Sequence, residues 1–122
     1  MRFTQDLSSA VNVIRAHGNG ELRVNDAVYR GAVILSASTA IAEPNVQNFD
    51  DLVAIDGARI LALEPELVLL GTGARQIFPE AAFGAQFLRA GIGFEVMDTG
   101  AASRTFNVLV GEHRRVVALL LV

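Results

Sequence analysis

A chain of 122 residues is too short for a second domain with its own core, since domains take roughly 100 to 200 residues each, and 1–122 therefore reads as one domain. With 52% hydrophobic and 19% charged residues it has enough apolar material to order itself, which excludes the disordered class. A net charge of -3 supplies no basic stripe to neutralise a phosphate backbone, so nucleic acid is not an expected partner.

The chain opens Met1-Arg2-Phe3-Thr4-Gln5-Asp6, with neither the apolar run of a secretory leader nor an arginine- and serine-rich organelle lead, and a cytoplasmic location is expected. Residues 12–17 and 21–24 are strand-like runs around Gly18-Asn19-Gly20, whose residues tolerate positive φ, and together they read as a hairpin. Asn25-Asp26 makes a second turn. A strand over 28–35 follows, and its segment Ala32-Val33-Ile34-Leu35, apolar on both faces, suits an interior position.

Residues 36–51 show no period and read as a loop holding at most one edge strand, and 52–63 are weakly helical up to the break at Glu64-Pro65. Leu67-Val68-Leu69-Leu70 is a fully apolar strand. Pro79-Glu80 then opens a helix that runs to Arg89, with proline in a tolerated first-turn position and an acid at the positive end of the dipole. A strand over 92–97 leads to a helix capped by Asp98 or Thr99 and ended near Val110 by a left-handed Gly111.

The last strand covers 115–121, and its apolar stretch from Val116 to Val122 is far short of the ~20 residues that cross a bilayer, so no membrane insertion is expected. The order strand, helix, strand, helix, strand implies right-handed crossovers and at least one parallel pair. The expected architecture is α/β, a central mixed sheet covered by helices with the N-terminal hairpin packed against it.

The residue inventory narrows the chemistry. With no cysteine there is no disulfide, thiolate metal site or cysteine nucleophile, and because all ten basic residues are arginine there is no Schiff-base or P-loop lysine. His17 and His113 lie by turns without ligand-like spacing and are expected in solvent, and no metal or cofactor is expected. Glu95 interrupts an apolar strand and is expected to pair with an arginine, because a buried carboxylate needs a partner.

Two loops leave the carboxyl ends of strands and enter helices, the position at which open α/β sheets hold ligands. In the first, Gly71, Thr72, Gly73, Arg75 and Gln76, the glycines can expose backbone N–H groups as an anion nest beside the Arg75 guanidinium. Equally, they simply allow a tight turn while Arg75 makes a structural ion pair. The loop is not a dinucleotide fingerprint, since Gln76 stands where the third glycine belongs.

In the second loop Asp98 and Thr99 are caps by type, and on the following helix Ala102, Phe106 and Leu109 should face the sheet. Ser103 and Asn107 share another face with Arg104 adjoining. If the two strands are neighbours, Thr72, Arg75, Gln76, Asp98, Thr99, Arg104 and Asn107 converge in a polar cluster able to hold a small anion or a partner's carboxylate. That cluster lacks the paired base and nucleophile that hydrolytic or transfer chemistry requires.

Taken together, Gly18-Asn19-Gly20 and Val24-Asn25, Pro65-Glu66-Leu67-Val68-Leu69-Leu70-Gly71-Thr72-Gly73, Gln76-Ile77-Phe78-Pro79, Gly91-Ile92-Gly93-Phe94-Glu95-Val96-Met97-Asp98-Thr99, Ala102, Arg104-Thr105-Phe106-Asn107-Val108-Leu109 and the apolar end strand resemble the Mth938-like family, DUF498, over nearly the whole chain. Many relatives carry cysteine and tyrosine where this chain has Ser103 and Phe106, so thiol or phenol chemistry does not carry over to those positions. The resemblance implies a three-layer fold around a mixed sheet and a family without an established enzymatic activity. Its mitochondrial members act as complex I assembly factors.

The expectation drawn from residues and resemblance is a non-catalytic protein-interaction or assembly domain with a protein partner. The alternative is an enzyme or sensor that binds a small anion at the two loops. The short apolar end segments either complete the monomer's sheet or leave an edge for a second copy, so a homo-oligomer stays open.

Overall fold

The computed structural model describes residues 11–122, and the reading of the first six residues lies outside them. In chain order they form β1 (Ile14–Gly18), β2 (Glu21–Val24), β3 (Ala27–Tyr29), β4 (Ala32–Leu35), β5 (Ala40–Glu43), α1 (Phe49–Val53), α2 (Gly57–Leu61), β6 (Leu67–Gly71), α3 (Ala81–Arg89), β7 (Gly93–Met97), α4 (Thr99–Gly111) and β8 (Val116–Leu121).

The first three strands make a small antiparallel sheet in the order β1-β2-β3. Its first turn is Asn19-Gly20, with φ of 54° and 75°, the doubly positive geometry that matches the twist of a two-residue hairpin. The other five strands make a mixed sheet in the order β5-β4-β8-β6-β7, in which β6 pairs parallel with both β7 and β8 while β4 pairs antiparallel with β8 and β5.

Because side chains alternate across a strand, the central sheet feeds two cores. Val116, Ala118 and Leu120 of β8 pack with Phe106 and Ala102 of α4 and with Ile14, Leu22 and Val24 of the small sheet. Val117 and Leu119 face the other way, onto Leu52, Ile60, Phe83 and Phe87 of α1 to α3. Phe106 and Phe87 anchor the two cores at 0% exposure, each worth about 1.5–3 kcal/mol by burial. On the second face Phe83, Phe87 and Phe94 form an aromatic trio with ring centroids 5.6 to 5.8 Å apart. The mixed sheet, the hairpin and the helices on the sheet are the arrangement that the α/β reading expects.

Several local expectations change. The strand expected over 28–35 is two strands in different sheets, broken at Arg30-Gly31, because Gly31 takes φ of 77° and a Cβ there would lie 2.6 Å from the Glu43 carbonyl. The aperiodic stretch 36–51 does hold an edge strand, β5, but it also starts α1. The helix expected over 52–63 is two one-turn helices, because Asn48 and Asp56 each cap a start, accepting from the N–H of Asp51 and of Ala58.

Pro79 and Glu80 stand just outside α3, whose first helical residue is Ala81, and the Glu80 side chain makes no cap bond. Gly111 ends α4 within the helix, and the left-handed residue is His113 at φ 62°. Ala102 and Phe106 of α4 are buried and Leu109 packs partly buried against the same core, as expected, while Ser103, expected on another face, is buried as well. Glu95 is exposed without an ion-pair partner among the described residues, because β7 is an edge strand and its carboxylate reaches solvent.

Candidate functional site

Since β6 and β7 are parallel neighbours, the loops that follow them open on the same sheet edge. There Gly73 and Thr99 bond reciprocally: Thr99 N–H donates to the Gly73 carbonyl at 2.9 Å, and Gly73 N–H donates to Thr99 Oγ1 at 2.8 Å. The Thr99 hydroxyl donates in turn to the Leu121 carbonyl at 2.6 Å, which ties the end of β8 to both loops. Gly73 adopts φ of 94°, open to glycine and strained for other residues. Gly71 is constrained by space: a Cβ would lie 2.7 Å from Leu120 Cδ2 and 3.2 Å from Ala102 Cβ.

The remaining polar groups are also committed to the backbone. Thr72 Oγ1 accepts from Ile77 N–H at 3.0 Å and donates to the Arg75 carbonyl, folding the loop on itself. Asp98 Oδ1 accepts from Ala101 N–H at 2.8 Å as the cap of α4, and Ser103 Oγ donates to the Thr99 carbonyl at 2.7 Å. Gln76 Nε2 donates to the Val96 carbonyl at 2.9 Å, on the β7 edge.

The structure thus gathers Gly71, Thr72, Gly73, Asp98 and Thr99, and leaves the others elsewhere. Arg75 and Arg104 are exposed, and neither belongs to an ion pair among the described residues, whose pairs are Arg30 with Glu21, Arg59 with Glu43 and Arg114 with Glu66. Asn107 lies two turns along α4 and binds the backbone of Ile14 through Oδ1 and Nδ2, both at 2.9 Å. Cap formation and loop closure account for the residue types at the two loops without a ligand.

A cleft of about 390 Å³ runs beside the welded loops, between Gly73, Ala74, Asp98, Thr99 and Gly100 on one side and the β1–β2 hairpin from His17 to Glu21 on the other. The hairpin's part in it was not legible from local pattern. The signal available was Gly100, a glycine inside the first turn of a helix: a Cβ there would lie 2.9 Å from His17 Nε2, so a neighbour passes close. Among the described residues, the charged side chains lining the cleft are Asp98 and Glu21 beside His17, and neither Arg75 nor Arg104 lines it.

The family described as "Protein of unknown function (DUF498/DUF598)" matches residues 14–121. The solution structure of a Bordetella pertussis protein described as a Mth938-like domain superposes with a TM-score of 0.76 at 29% identity, covering 99% of this chain and 92% of that one. A Francisella tularensis protein named 13 kDa major membrane protein is 28% identical over 99% of both chains. A Danio rerio protein named NADH dehydrogenase [ubiquinone] 1 alpha subcomplex assembly factor 3 is 32% identical over 96% of this chain and 68% of its own length. No helix among the described residues is long and apolar enough to cross a membrane.

Proposed function

We propose that this chain, which belongs to the DUF498/DUF598 family of unknown function and takes the Mth938-like fold, is a non-catalytic protein-interaction domain serving the assembly of a larger complex. One observation carries the reading. The side chains of Thr72, Thr99, Asp98 and Ser103 are spent on main-chain partners of the chain itself, which makes the two-loop region a rigid shape rather than a set of reacting groups. An anion would also find Asp98 and Glu21 along the cleft instead of the arginines, which disfavours the small-anion alternative.

The relative named as an assembly factor supplies the class of client: subunits of a respiratory NADH dehydrogenase. We further infer a cytoplasmic location, with any membrane attachment arising through a bound partner, which accommodates the relative named as a membrane protein. The test is deletion of the gene in its host followed by size-resolved proteomics of native complexes. Accumulation of part-built NADH dehydrogenase, restored by the intact chain, is the expected result. A normal complex profile accompanied by a changed small metabolite would transfer the function to the ligand-binding alternative.

A further inference from the structure

The strand β7 closes one edge of the large sheet, and its outer side has no strand partner among the described residues. Its inward bonds run from Gly93 N–H to the Glu66 carbonyl at 3.0 Å and from Thr72 N–H to the Met97 carbonyl at 2.9 Å. Backbone groups alternate along a parallel strand, so Gly93, Glu95 and Met97 bond toward β6 while Phe94 and Val96 direct theirs outward. Gln76 takes the Val96 carbonyl. The Phe94 N–H, the Phe94 carbonyl and the Val96 N–H remain on the open edge.

An apolar groove of about 460 Å³ runs beside that edge, lined by Phe78, Pro79, Ala81 and Leu88 together with Phe94 and Val96. Phe78 is 71% exposed and Leu88 60%, the two most exposed large apolar side chains among the described residues. Adjacent exposed apolar groups beside unpaired backbone mark a place where an extended chain adds to a sheet. Charge then selects the occupant. Among the described residues, the groove's one charged lining residue is Glu80, and on the opposite face of β7 the exposed Glu95 has no ion-pair partner.

A second copy of this chain, paired two-fold across β7, would bring two Glu95 and two Glu80 carboxylates into one seam, where like charges oppose pairing. A strand with a cation opposite Glu95 relieves that charge instead. We propose that the β7 edge and the Phe78–Leu88 groove receive an extended segment of a partner protein that reads apolar, basic, apolar. Its basic residue lies opposite Glu95 and its apolar residues lie on the groove. The proposal rests on the interaction reading above and names the surface and the chemistry of its partner.

The test titrates the full chain with two capped peptides, Thr-Val-Arg-Val-Thr and Thr-Val-Glu-Val-Thr, following backbone amides by NMR. The expected result is perturbation centred on Phe94 and Val96, with a preference of roughly tenfold for the arginine peptide. Glu95→Arg should reverse that preference, and Phe78→Ser, at an exposed position that leaves the fold intact, should weaken both peptides. Amides of 94 and 96 that stay fixed under both peptides overturn the proposal, as does a preference indifferent to Glu95→Arg. Concentration-dependent dimerisation that protects the Phe94 amide also overturns it, in favour of a second copy. If the docking fails while gene deletion still stalls complex assembly, the interaction reading survives and only this surface is lost.

Discussion

Asn107 clasps Ile14 by both backbone groups: its Oδ1 accepts from the Ile14 N–H and its Nδ2 donates to the Ile14 carbonyl, each at 2.9 Å. One amide side chain thereby imitates a neighbouring strand, pinning the bulged end of β1 to α4 across 93 residues of sequence. The pairing occupies one end of β1's outer edge and seats the small sheet on the core that contains Phe106 and Ile14.

Replacing Asn107 with leucine keeps its branched outline, with bulkier methyl groups, and removes both bonds, leaving the Ile14 N–H and carbonyl in a part-buried seam without those partners. The expected loss is about 1–3 kcal/mol of unfolding free energy, measured by urea denaturation. Hydrogen exchange at the Ile14 amide should accelerate more than at amides of β6, because the damage is confined to the docking of β1. An unchanged urea midpoint would mean that water replaces the side chain without cost.

Thr99 is the second anchor. Thr99→Val retains the shape but removes the acceptor for Gly73 N–H and the donor to the Leu121 carbonyl, and should cost about 1–3 kcal/mol. Thr99→Ser, which restores the hydroxyl, should recover most of it. Thermal unfolding of the three proteins separates this bonding role from packing, since the serine lacks only the methyl group.

Acid should weaken the junction between β6 and β8. The Glu66 carboxyl is held below the ordinary carboxylate range, first by the Arg115 backbone N–H and then by the Arg114 side chain. A depressed folded pKa means that the group's contribution is fully present above its unfolded value of about 4.3 and is lost as pH falls through the lower folded value. Glu66→Gln still accepts from Arg115 N–H but cannot titrate, so the mutant's urea midpoint should fall less than the parent's between about pH 6 and about pH 3. Equal falls would assign the acid sensitivity to other carboxylates.

Much of the fold is legible where one local signal dominates. Asn19-Gly20 announces its hairpin because the turn needs positive φ twice, and the apolar runs 67–70 and 116–121 announce strands buried on both faces. The break at Gly31 is not legible, because its cause is the approach of the Glu43 carbonyl from β5, outside any local pattern around Gly31. At the candidate site the cap Asp98 is legible by type, whereas Thr99, expected as an alternative cap, is the first helical residue of α4 and spends its hydroxyl on Gly73 and Leu121. The role of Asn107 is not legible, since a polar residue at that spacing reads as a member of the loop cluster until β1 is seen lying against it. Glu95 misleads for a related reason: an apolar run with one acid suits both a buried strand with a partner and an edge strand open to water, and sheet order decides between them.

The central claim is that this chain works by holding another protein. Native mass spectrometry of the chain purified gently from its own host tests it most directly, because one spectrum reports subunit count, retained proteins and retained small ligands. The expected spectrum contains the chain with a specific protein at fixed stoichiometry, a NADH dehydrogenase subunit or fellow assembly protein by peptide identification. A chain without protein partners that carries a discrete small adduct, lost in Arg75→Ala, would contradict the account.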